Sequence, residues 1–183
     1  MLIKVKARDV IGPMPFDHSA LIVLWAQDKT FLVPCPLADA EICHDFLTSG
    51  QKWKNPYDFL VDLLKVRDSA VTKTILFRSE NALYSAVFVE AEGDPTPLRI
   101  SSDNPAMAVN AALYSKAQLV IDQEDFEDLT DHSAAYEAIR KAIPKLWPLS
   151  PLTDTESLAA FDSFIDKVAP EDGSIFSAKS KRS

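Results

Sequence analysis

Glycine is scarce in this chain: Gly12, Gly50, Gly93 and Gly173 are the only four among 183 residues. Close backbone approach to a phosphate needs clustered glycines, and these form neither a G-x-G-x-x-G nor a Walker loop. That argues against nucleotide-cradling folds of those types. Cysteine is scarcer still, with Cys35 and Cys43 alone. Two thiols make no secreted disulfide framework, and the N-terminal MLIKVKARDV alternates too quickly for a signal-peptide core. No apolar run approaches the ~20 residues needed to span a bilayer. The expectation is a cytoplasmic chain with no membrane partner. Positive charge is also short, with 19 basic against 27 acidic residues and a net charge of -8. A field of that sign repels phosphates and disfavours nucleic acid as a partner, although it leaves room for a local basic groove.

What is present is ordinary globular material. The chain is 47% hydrophobic and 25% charged, close to the average for folded domains. Its length suits one domain with an appendage. Leu2 to Arg8 alternates apolar and polar residues, which is strand patterning. Asp9 to His18 holds Gly12, Pro13 and Pro15 and predicts a loop. Ala20 to Ala26 and Thr30 to Cys35 form a hairpin around Gln27-Asp28-Lys29. A helix is expected from Pro36 to a stop at Gly50. A second, Pro56 to Val66, follows the cap and first-turn proline Asn55-Pro56.

Val71 to Arg78 and Ala82 to Glu90 give a second hairpin, and Pro97 to Ser101 a further strand. A helix from Pro105 to Ser115, capped by Ser102 or Asp103, precedes a last strand at Gln118 to Ile121. Ser133 to Ile143 is helical in spacing, and Lys145 to Leu152 has the composition of a linker. Thr153 and Glu156 have capping-box spacing ahead of the stripe Leu158, Phe161, Phe164, Ile165 and Val168. The order implies an α+β fold, with a mixed β-sheet built from hairpins, helices packed against it, and C-terminal helices. The expected organisation is a domain over 1–130, a helical extension over 131–169 and a frayed tail over 170–183.

Four stretches, FLVPCPLADAEI, PYDFLVDLL, ILFRSENALYSAVFVEAEG and NPAMAVNAALYSKAQLVI, stand in the order and spacing of the bifunctional nuclease domain family, which the chain resembles from Met1 to Leu129. The family is credited with cleaving RNA and DNA. Its hallmark segment reads Asp-Ala-Arg-Pro-Ser-Asp-Ala-Ile, and the corresponding residues here are Ser102 to Val109. Pro105 and Ala108 are kept. Ser102 stands for the first aspartate, Asn104 for the arginine, Ala106 for the serine and Met107 for the second aspartate. Cys35-Pro36 stands near the family's Gly-Pro and glutamate, with Asp39 and Glu41 close by, and Tyr57 stands where the family has a histidine. Phosphodiester cleavage needs a carboxylate or histidine to hold a metal or move a proton, and a cation for the transition state. Asn for Arg removes the charge and its bidentate fork.

Each candidate site has a plainer reading beside it. Asp103 and Asn104 open a helix and could meet an anion there, with Ser102 and Asn104 as phosphate ligands, or could simply cap it. Glu41 and Asp45, with Asp39 and His44 nearby, could share a metal or form a solvated face. Cys35 could be activated ahead of its helix, or could be a small buried hydrophobe like Cys43. Lys52-Trp53-Lys54 could stack a base, or the tryptophan could fold onto the helices. The acidic run Asp122 to Asp128 suits a helix first turn better than a calcium loop. His18, His44 and His132 form no ligand pair, so no metal site is expected.

Together these readings imply a bifunctional-nuclease-like protein that has lost catalysis and acts as a binding or regulatory module. It would bind an unknown protein partner or a second copy and needs no cofactor, and the stripe Leu158 to Val168 could pack on the chain's own core or on a second copy. The alternative is a nuclease with a relocated site of Asp39, Glu41, Asp103 and Asn104, which would require Mg or Mn.

Overall fold

A computed structural model describes residues 1–49, 54–149 and 151–169. Its strands are β1 (Leu2–Lys4), β2 (Lys6–Ile11), β3 (Ser19–Ala26), β4 (Lys29–Pro36), β5 (Ser69–Ser79), β6 (Ala82–Ala91), β7 (Leu98–Ser102) and β8 (Gln118–Asp122). Its helices are α1 (Leu37–Ser49), α2 (Pro56–Val66), α3 (Pro105–Ser115), α4 (Gln123–Glu127), α5 (Ser133–Ala142) and α6 (Thr155–Val168). The fold is α+β. One sheet has five strands in the order β1-β8-β5-β6-β7, and a second has three in the order β2-β3-β4. Only the β5–β8 pair is parallel, so the larger sheet is mixed.

The first run differs from the expected single strand and loop because it serves both sheets. Leu2–Lys4 pairs with β8, while Lys6–Ile11 pairs with β3. Strand structure therefore continues through Asp9, Val10 and Ile11, into the stretch expected to be a loop. Gly12 then turns the chain at φ +146°, where an added Cβ would stand 2.9 Å from the Ala20 Cβ. That close approach requires glycine. Pro36 ends β4 rather than opening α1. Its missing N–H is harmless there because β4 is an edge strand.

Helices α1 and α3 lie between the sheets. The core there joins Ile22, Leu24 and Val33 of the smaller sheet to Leu76 and Ile121 of the larger, through Ala40 and Cys43 of α1 and Ala106, Ala108, Val109 and Ala112 of α3. Helix α3 is apolar nearly all round and rich in alanine, which lets it approach both sheets closely. The opposite face of the smaller sheet carries Ile11, Leu21, Val23 and Leu32, and is covered by Tyr136 and Ile139 of α5 and Phe161, Phe164 and Val168 of α6. β3 is thus buried on both faces, which accounts for its unbroken apolar sequence.

Of the two uses open to the C-terminal stripe, the structure shows packing on the chain's own core; Phe164 and Val168 are each 2% exposed. The stretch expected to be a linker also packs, with Leu146 buried in the same cluster. One cap differs from expectation: Asp154, not Thr153, caps α6 by accepting from the Ser157 N–H at 2.7 Å. Of the residues offered for the start of α3, Asn104 is the cap. The stop at Gly50, the Lys52-Trp53 pair and the tail 170–183 lie outside the described residues.

Candidate functional site

The segment from Ser102 to Val109 runs off β7 into α3 and meets α1 there. Asn104 accepts the Ala106 N–H on Oδ1 at 3.1 Å and donates from Nδ2 to the Asp39 carboxylate at 2.8 Å. The other Asp39 oxygen accepts from the Tyr57 hydroxyl at 3.2 Å. Asn110, fully buried on α3, donates to the Asp39 carbonyl at 3.0 Å, and its own Oδ1 meets no partner among the described residues. The Ser85 hydroxyl from β6 donates to the Asn104 carbonyl at 2.9 Å. Asp39 and Asn104, two of the residues singled out in the sequence, are therefore in direct contact, and Tyr57 joins them. Asn110 was not foreseen. An asparagine inside an alanine-rich helix is its only sequence signal.

This cluster is a neutral clamp around one carboxylate. Both Asp39 side-chain oxygens are engaged, and the residue has no ion pair among the described residues. Burial, reinforced by the Asp39 charge, pushes the Tyr57 phenol well above its usual range, so it stays a donor. Burial, with Asp39 adding to it, likewise pushes the Cys35 thiol far up, and the Cys43 thiol is pushed up to about 12 by burial and then Asp9. Both cysteines are buried and free, which matches the packing role over the reactive one. At the start of α3, Ser102 accepts the Asn104 N–H at 3.0 Å. The two residues expected as phosphate ligands thus serve the chain's own backbone.

The remaining candidates separate. Glu41 is exposed on α1. Asp103 lines a cleft of about 510 Å³, whose walls include Leu32, Pro34, Arg78, Asp128 and His132. Arg78 is tied to Asp128, with its guanidinium 3.4 Å from the carboxylate. No three His, Cys, Asp or Glu side chains among the described residues are grouped so as to hold a metal. Asp39, Glu41 and Asp103 therefore do not converge, and neither do Glu41, Asp45 and His44. His44 instead lies against Trp147, their rings 5.8 Å apart.

A different surface gathers groups suited to recognition. The face of the larger sheet turned away from α1 and α3 carries no helix among the described residues. Strand alternation places Lys73, Ile75 and Phe77 of β5, Tyr84, Ala86 and Phe88 of β6, and Arg99 and Ser101 of β7 on it. Val120 of β8 and Leu2 and Lys4 of β1 continue it. The Phe77 and Tyr84 rings stack at 5.8 Å. The Lys73 ammonium lies 4.9 Å from the Phe88 ring centre, and the Arg99 guanidinium 5.2 Å from that of Phe77. Asp122 and Glu90 are the acids on this face; Asp122 holds the N-terminal ammonium and Glu90 accepts from Thr72. Three cations on one face of a chain with net charge -8 make a local reversal of sign.

Comparison with family models and with curated proteins finds no match to the chain. Among the described residues, no helix is long and apolar enough to cross a membrane.

Proposed function

We propose that this chain is a bifunctional-nuclease-like domain that binds single-stranded nucleic acid without cutting it. The carrying observation is the bare sheet face with its aromatic residues Phe77, Tyr84 and Phe88 beside Lys4, Lys73 and Arg99. Aromatic side chains on an open sheet offer stacking surfaces to unpaired bases, which a duplex hides, and neighbouring cations follow the backbone. The overall acidity makes such binding weak and steeply salt-dependent. The absence of cutting is supported by the clamp. Asn104 stands where the resemblance has an arginine, and the Asp39 carboxylate it faces is held by two neutral donors, which leaves no charged pair to act on a phosphate.

The test is fluorescence anisotropy with labelled single-stranded RNA and DNA at low salt, followed by electrophoresis of the same samples with Mg or Mn. The expected result is binding with intact oligonucleotide. Tyr84→Ala or Phe88→Ala should weaken it about tenfold, in line with ~1–3 kcal/mol per stacked base. No binding at low salt, or binding indifferent to both substitutions, overturns the reading.

A second reading, a nuclease with a relocated site, is favoured by one observation: Asp103 and the Arg78 guanidinium share a cleft beside the hallmark segment. It requires metal-dependent cleavage that Asp103→Ala abolishes.

A further inference from the structure

We propose that the chain pairs with a second copy of itself along the free edge of β7, joining the two larger sheets into one continuous sheet. The backbone register leads there first. The hairpin turn closes with Ser79 opposite Ala82, and pairing then runs without a shift as far as Lys73 opposite Phe88. Hydrogen-bonded pairs alternate from the turn, so Ala82, Tyr84 and Ala86 direct their peptide groups to β5, and Ser85 and Val87 direct theirs to β7. Ser102 and Ile100 stand opposite those two, and Leu98 stands opposite Val89. The N–H and C=O groups of Arg99 and Ser101 therefore point off the sheet, where no strand follows.

Edge strands are normally defended by an outward charge, a proline, a bulge or a cover. β7 has no proline and pairs with β6 without a register shift. Its one charged side chain, Arg99, folds back over Phe77. On the other face Leu98 and Ile100 are 62% and 42% exposed, beside the buried Val89 and Val87.

The strand is complementary to itself. Antiparallel pairing about Ile100, the midpoint of Leu98–Ser102, sets Arg99 of each copy opposite Ser101 of the other. Every outward N–H then finds a C=O. No like charges meet, since the arginine faces a hydroxyl rather than a second arginine. Ile100 faces Ile100 as a non-hydrogen-bonded pair, and with both Leu98 side chains they form one apolar strip across a two-fold axis. That axis is perpendicular to the sheet, so the bare faces of the two copies lie side by side. The pairing stands whether or not those faces bind nucleic acid.

Cysteine crosslinking of the full chain tests both contact and register. Side chains directly opposite in a non-hydrogen-bonded pair are close enough for a disulfide. Ile100→Cys should therefore form an intermolecular disulfide on mild oxidation, while Val66→Cys, on an exposed helix position, should not. The native cysteines are buried and do not compete. Sedimentation should show a dimer for the native chain and a monomer for Ile100→Lys, with unchanged circular dichroism. A native chain that stays monomeric up to millimolar concentration overturns the proposal. So does crosslinking of Ile100→Cys no faster than that of Val66→Cys.

Discussion

Asn104 does two jobs with one side chain. Its oxygen caps α3 and its amide nitrogen holds Asp39, so replacing it separates into two effects. Asn104→Ala should cost about 2 kcal/mol, from roughly 1 kcal/mol for the cap and about 1 kcal/mol for the hydrogen bond to the carboxylate. Asn104→Asp keeps the cap but sets two carboxylates together, so its loss should shrink on acidification as one of them takes a proton. Urea unfolding of both variants at neutral and mildly acidic pH checks this. Equal losses at both pH values for Asn104→Asp would mean that Asp39 is not the partner in solution. Asp39 and Asn104 could be picked from the sequence as polar residues at the starts of two expected helices. Tyr57 was visible only as a missing histidine and Asn110 not at all. Their roles depend on α1, α2 and α3 meeting at one point, which no local spacing encodes.

At the scale of the element, β4 shows how an edge is closed. Thr30 donates its N–H to the Asp131 carboxylate at 3.1 Å and to the Ser133 hydroxyl at 3.0 Å, and its carbonyl accepts the His132 N–H at 2.7 Å. This loop carries a pH dependence through the His132 imidazole. Burial lowers its pKa below the usual histidine value, partly opposed by the Asp131 charge. Arg78, Asp103 and Asp128 line the same cleft. The unfolded chain therefore takes up the proton first as the pH falls, and stability present above about pH 6.5 is lost progressively below it. Thermal unfolding from pH 7.5 down to pH 5 should show a falling midpoint, and His132→Gln should flatten that fall. An unchanged slope would assign the effect elsewhere. The sequence marked His132 only as unpaired, because its burial comes from β4, a hundred residues earlier in the chain. Helices and hairpins were otherwise well marked by capping residues, turns and period. The exceptions, Asp9 to Ile11 and the Thr153 cap, fell where one run serves two sheets or two polar residues compete for one cap.

For the whole molecule, two layers hold the smaller sheet, and the helices of only one of them come from the first 130 residues. The sheet's inner face packs on α1 and α3, and its outer face is covered by Met14, α5, α6 and the segment around Leu146. The hairpin that carries Phe77, Tyr84 and Phe88 was legible in the sequence, but a hairpin has two faces and its sequence does not say which is covered. The bare face became visible only once the helices were placed. The same ambiguity hid the use of the C-terminal stripe, where an amphipathic helix suits its own core and a neighbour's equally well. Ending the chain after Ser150 separates those uses. It removes Phe161, Phe164 and Val168, each nearly fully buried. At about 1.5–3 kcal/mol per buried side chain their loss is comparable to the whole stability of a domain, roughly 5–15 kcal/mol. The shortened chain should therefore lose cooperative thermal unfolding and bind hydrophobic dye, because Leu21, Val23 and Leu32 lose their cover. If it instead melts cooperatively near the temperature of the full chain, α6 is an appendage. The sheet's outer face must then draw its stability from Met14, α5 and the Leu146 segment.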